Sequence, residues 1–165
     1  MTQRLAYASV APEAIRFFSQ AGQYLRTSTT LEPEVLHLVF LRASQMNGCA
    51  FCIAMHWREA KEAGMDDDRL HGLVAWREAP WYSDRERAAL AWTEAVTDVM
   101  HSHLPDDLYV EARTAFSERE LVDLTLAINT INSWNRFAIA FRTPPESAAG
   151  VLEALRARTP HAAAS

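Results

Sequence analysis

Two stretches, Ser83-Asp84-Arg85-Glu86 and Ser117-Glu118-Arg119-Glu120, carry the Ser-x-x-Glu pattern of a capping box, and each runs into an apolar series with helical spacing. In that pattern the serine hydroxyl accepts an N–H from the first helical turn while the glutamate accepts the serine's own N–H, so both segments are committed to starting helices. Hardly any of the sequence alternates apolar and polar residues with the period of two that a half-buried strand needs. The chain is therefore expected to be all-α.

The other helix boundaries are read from the same kind of punctuation. Pro12 suits a first helical turn, and Ile15, Phe18, Tyr24 and Leu25 supply its apolar stripe. Pro33 opens a second helix whose Val35, Leu36, Leu38, Val39, Phe40 and Leu41 point all round, as in a helix buried on several sides. Asn47-Gly48 ends it and leaves Cys49 in the first turn of a third helix, which Gly64 terminates. A short helix is expected from Asp66 to just before Pro80, and Pro105 opens an amphipathic piece carrying Leu108, Val110, Ala112 and Phe116. After Pro144-Pro145 a last helix through Val151, Leu152 and Leu155 is predicted, and the final ARTPHAAAS is expected to fray.

At 165 residues, 49% hydrophobic and 22% charged, this is the size and composition of a single domain spanning 1–165, with its core over about 12–142 and a tail at 144–165. A formal charge of -5 without a basic stripe argues against nucleic acid and anionic membranes as partners. The N-terminus has no long apolar run before a small-residue cleavage site, and no segment reaches the ~18 apolar residues of a span, so a cytoplasmic location is expected.

Cytoplasmic thiols are kept reduced, so a close cysteine pair there reads as a redox or metal site sooner than as a structural bridge. The two cysteines of the chain, Cys49 and Cys52, stand three apart in SQMNGCAFCIAMHWREA, and His56 follows four positions later. On a helix all three share one face. A helix N-terminus favours thiolate, and a neighbouring imidazole can take the thiol proton. A peroxide would oxidise one thiolate to a sulfenic acid, which the second cysteine would condense to a disulfide. Two other readings stand beside this one: a pair of packed core thiols, and a zinc site drawing on Cys49, Cys52, His56 and His37. Elsewhere, His101 and His103 flank a helix end whose dipole suits imidazole. Asn129, Asn132, Ser133 and Asn135 are expected to pair between helices or at an oligomer contact. The tryptophans 57, 76, 81, 92 and 134 are expected to fill core or interface, or to wall an apolar pocket.

The run LRASQMNGCAFCIAMHWREA resembles the signature of the AhpD-like alkylhydroperoxidases of the carboxymuconolactone decarboxylase superfamily. The resemblance extends from about Pro12 to Arg142, through AWREAPWYSDRERAALAWTEAVT and FSERELVDLTLAINTINSWNRFAIAFR. It implies an all-helical fold assembling as dimers, trimers or hexamers, and a thiol-dependent hydroperoxide reductase that needs no flavin, haem or metal. By matching position, Cys52 would be the peroxidatic cysteine, Cys49 the resolving one and His56 the proton relay, with Ser44 and Gln45 supporting the loop. The resemblance also implies re-reduction of the disulfide by a dithiol, from a lipoylated or thioredoxin-like protein. Two positions depart from the family pattern. His37 stands where the motif has a glutamate, twelve residues before Cys49, and Phe51 stands where a well-known member has a histidine. If His37 takes the glutamate's place in the relay, its intrinsic pKa near ~6.5 against ~4.3 moves thiol activation to higher pH. Glu34, one turn earlier, is the alternative carboxylate. A reading from a different class is a non-catalytic redox sensor or assembly module whose disulfide changes its shape.

Overall fold

The computed structural model of the chain describes residues 2–158, and among these there are helices and turns but no strands. The helices are α1 (Tyr7–Val10), α2 (Pro12–Thr27), α3 (Pro33–Asn47), α4 (Ala50–Glu62), α5 (Asp67–Gly72), α6 (Asp84–Thr97), α7 (Val99–Ser102), α8 (Asp106–Ala115), α9 (Glu118–Phe141) and α10 (Ala148–Arg158). Single 3-10 turns lie at Leu73–Ala75 and Pro145–Ser147.

Both capping boxes form. Ser83 accepts from the Glu86 amide at 3.3 Å while Glu86 accepts from the Ser83 amide at 2.9 Å, and the Ser117–Glu120 pair repeats this at 3.3 and 2.8 Å. The helix opened by Ser117, α9, runs 24 residues and forms one wall of the core. Helix α3 is the hub and packs against α4, α6 and α9. Its Leu38 and Val39 are 0% exposed and Leu41 1%, so each contributes about 1.5–3 kcal/mol by burial. The predicted last helix is present as α10, lying against α4. Of the segment expected to fray, residues 159–165 lie outside the described residues.

Four local expectations need correcting. Cys49 and Pro105 are N-caps, each one position outside the helix it introduces. The helix expected from Asp66 to Pro80 stops at Gly72, because burying Leu73 (0% exposed) and Trp76 (5%) requires the tighter 3-10 turn that follows. Gly72 also leaves room for an indole, since a Cβ there would lie 2.3 Å from the Trp81 ring. Helices α1 and α7 were not anticipated, since four residues are too few to show a helical period. The first is held by tertiary contact, with the Tyr7 ring 5.3 Å from Phe137 and 5.4 Å from Phe141. No helix among the described residues is long and apolar enough to cross a membrane.

Candidate functional site

The site is built where α3 hands over to α4. Gly48 adopts φ 68°, ψ 31°, a left-handed conformation that turns the chain sharply after Asn47. The Gly48 amide donates to the Gln45 carbonyl at 3.1 Å and the Cys49 amide to the Ser44 carbonyl at 3.0 Å, so the end of α3 is closed by the loop itself. Cys49 then caps α4, its Sγ accepting the Cys52 amide at 3.3 Å. The two cysteines are joined as a disulfide with Cα atoms 5.3 Å apart. Both are 1% exposed and pack among Ala43, Phe51, Ile131, Ala138 and Ala148.

A buried polar knot fixes this turn to α9. The Asn47 side-chain amide donates to the Ala43 carbonyl at 2.9 Å and reaches Asn132 Oδ1 at 2.6 Å and Asn135 Oδ1 at 2.8 Å. Asn135, 0% exposed, donates in turn to the Ser44 hydroxyl at 3.1 Å, and Asn132 to the Thr97 hydroxyl at 3.1 Å. Asn132 and Asn135 therefore pair between helices as the sequence suggested, whereas Asn129 is exposed. Ser44, a position read as loop support, carries both a backbone and a side-chain bond of the turn.

His56, 6% exposed on α4, lies one turn beyond Cys52, with its ring 5.1 Å from that of Phe40. Its Nδ1 is 2.6 Å from Glu59 Oε2, one turn further along the same helix. Burial by itself would raise the Glu59 carboxyl, but the hydrogen bond with His56 and the charges of His56, Arg26 and His37 outweigh it and bring the group below its ordinary 4.5. An ionised Glu59 makes Nδ1 the donor, so in the neutral ring Nε2 holds the free lone pair. Nε2 is buried with no hydrogen-bond partner among the described residues, the atom left over to accept a proton.

His37 sits close enough for its charge to be felt by both His56 and Glu59. Burial pushes it below its ordinary 6.5, against the opposing charges of Glu59 and Glu34 and with the help of His56, so at neutral pH it is mainly uncharged. Its buried Nδ1 also lacks a partner among the described residues. The anionic partner of His56 is thus Glu59, at a position the sequence analysis did not single out. Its signal was there in the His-x-x-Glu spacing of His56 and Glu59, which places the two side chains on one helical face.

A cavity of about 440 Å³ opens onto this group. Phe40, Phe51, Met55, Ile131 and Trp134 wall it beside Cys52 and His56, and Tyr7 and Val151 bring in the two ends of the described chain. Cys49 and His37 do not line it. Trp134 is thus the tryptophan that meets the expectation of an apolar pocket wall. His101 stands elsewhere, exposed, with Nδ1 2.6 Å from Asp98, whose hydrogen bond and charge raise it above its ordinary value. Among the described residues no three His, Cys, Asp or Glu side chains converge as a metal-ligand set.

Comparison with known proteins places this geometry among relatives. Residues 12–95 match the carboxymuconolactone decarboxylase family. The uncharacterized protein YdfG of Bacillus subtilis is 41% identical over 140 residues, covering 85% of this chain and 95% of YdfG. A crystal structure of ATU0492 from Agrobacterium tumefaciens, a protein of unknown function proposed as the antioxidant defence protein AhpD, superposes with a TM-score of 0.84 at 40% identity over 87% of this chain and 97% of that one. An alkylhydroperoxidase AhpD core, the uncharacterized peroxidase-related protein of Ralstonia eutropha, shares the fold at a TM-score of 0.75 and 18% identity, over 84% of this chain and 74% of its own.

Proposed function

Because the chain belongs to the carboxymuconolactone decarboxylase family, we propose that it reduces organic hydroperoxides through the Cys49–Cys52 pair and is returned to the dithiol by an external dithiol reductant. The observation that carries this reading is the division of the site. Cys52 and His56 line the cavity, with the His56 Nε2 unpartnered, while Cys49 lies outside the lining and within disulfide reach. The description of ATU0492 as a proposed AhpD antioxidant protein, at 40% identity, supports the same chemistry.

In the proposed cycle His56 Nε2 takes the Cys52 thiol proton, with Glu59 holding the ring through Nδ1. The Cys52 thiolate attacks the terminal peroxide oxygen. The O–O bond breaks, Cys52 becomes a sulfenic acid, and the departing alkoxide takes the proton from His56 and leaves as the alcohol. Cys49 then attacks the Cys52 sulfur, the S–O bond breaks, and one water leaves as the disulfide forms. A dithiol, from a lipoylated or thioredoxin-like protein, returns two electrons and two protons and becomes a disulfide itself.

The steady-state rate with dihydrolipoamide and cumyl hydroperoxide tests this reading. Many turnovers per chain, abolished in Cys52→Ser, are expected. Consumption of one peroxide per chain and no more would replace the enzyme by a redox sensor, a reading favoured by the near-complete burial of both sulfurs.

A further inference from the structure

The cavity at Cys52 has mainly apolar walls, with Gln3, Ser19, Thr130, Thr143 and Ser147 as neutral polar members, and its charged member is informative. Among the described residues its lining includes no aspartate or glutamate, and the one permanently charged side chain is Arg26, in the last turn of α2. The Arg26 Nη2 lies 3.4 Å from the point where a Cβ on Gly22 would stand, so the guanidinium folds back over the preceding turn, against a cavity-lining glycine. Arg26 has no carboxylate within 4.0 Å among the described residues; Arg58, Arg87 and Arg136 also lack one but bond backbone carbonyls, so what sets Arg26 apart is its place in the cavity lining. The anion that feels its charge, Glu59, is bound to His56 at 2.6 Å and does not line the cavity.

We infer that this cavity takes an organic hydroperoxide carrying a carboxylate, with its apolar body among Phe40, Phe51, Met55, Ile131 and Trp134 and its carboxylate on Arg26. The inference rests on the peroxidase reading above and adds the class of substrate. Volume argues against hydrogen peroxide as the fitted ligand, because about 440 Å³ is on the order of fifteen water volumes and a molecule so small would leave the walls unfilled. Charge argues for a carboxylate over a phosphate ester, because one guanidinium matches one negative charge and a phosphate monoester carries about -1.5 to -2 at neutral pH. Arg26 is itself exposed, so water screens part of its charge, and the planar fork of arginine supplies the selectivity by fitting a carboxylate with two parallel hydrogen bonds.

The test separates binding from turnover. Calorimetric titration of the oxidised protein with 4-isopropylbenzoate and with the neutral 4-isopropylbenzamide is expected to show the acid binding about three- to fivefold more tightly. In Arg26→Gln that ratio is expected to fall to within about twofold of one, with Arg26→Lys between the two and all three proteins melting alike. Equal binding of acid and amide by the parent, or an unchanged ratio in Arg26→Gln, overturns the inference. In a parallel assay, 4-carboxycumyl hydroperoxide should exceed cumyl hydroperoxide in kcat/KM by the same order. Equal values would keep the peroxidase and remove the carboxylate site. No turnover of either, with Arg26-dependent benzoate binding intact, would remove the peroxidase and leave the anion site standing.

Discussion

The polar knot behind the disulfide allows a prediction with its own internal control. In Asn135→Ala two buried hydrogen bonds disappear, one to Asn47 at 2.8 Å and one to Ser44 at 3.1 Å. Asn47 keeps the Ala43 carbonyl and Asn132 as acceptors, so its loss is a single neutral bond, about 1 kcal/mol. Ser44 is 0% exposed and its hydroxyl meets no other partner among the described residues, so it is left desolvated and unpaired at about 1–3 kcal/mol. Allowing for the atoms removed from a site that is itself 0% exposed, the total is about 3 kcal/mol, or roughly 6–12 °C in Tm for a chain of this length. Asn129→Ala, on an exposed position of the same helix, should cost under about 0.5 kcal/mol. Urea unfolding of the three proteins, with the cysteines held oxidised, reads the difference directly. Equal stability of the two alanine variants would show that the knot does not hold the turn that carries the cysteines.

Three further outcomes follow from the same site and its surroundings. Gly48→Ala should cost about 1–2 kcal/mol from left-handed backbone alone, because a Cβ there meets nothing within 4 Å; Gly48→Asn should cost less, and equal melting of all three would refute the assignment. Glu59→Gln should slow the reaction of reduced Cys52 with peroxide by about tenfold and Glu59→Asp by less, measured by stopped-flow fluorescence; an unchanged rate would free His56 from Glu59. Glu94 accepts from Trp76, Arg77 and Arg42, and these contacts outweigh burial, which alone would raise it, and hold it below its ordinary 4.5. A lowered folded value contributes stability above the unfolded one that is lost as pH falls below about 4.5, so Glu94→Gln should flatten the acid limb of Tm against pH, and parallel limbs would contradict this.

The fold was legible because local signals and tertiary demand agreed along most of the chain. Ser83 and Ser117 each placed a cap, Gly48 placed a break, and the all-round apolar surface of α3 announced a central helix. Where they disagreed, tertiary demand won. Leu73 and Trp76 reached the core through a 3-10 turn, although nothing before Pro80 announces a stop. The thiol pair and His56 were legible because one helical segment carries all three. Glu59 was legible only through its one-turn spacing from His56, because the position where the family motif has its carboxylate holds His37 here. The cavity was not legible, since it joins residues from Gln3 to Leu155 that only the folded chain brings together.

The central claim is that Cys52 meets the peroxide and Cys49 resolves it. The most direct measurement is intact mass of the reduced protein before and after one equivalent of cumyl hydroperoxide, for the parent, Cys49→Ser and Cys52→Ser. A rapid loss of about two mass units in the parent, with sulfenic acid trapped on Cys52 only in Cys49→Ser, is the predicted result. A parent whose mass stays unchanged for minutes under excess hydroperoxide, or sulfenic acid appearing on Cys49 in Cys52→Ser instead, would contradict it.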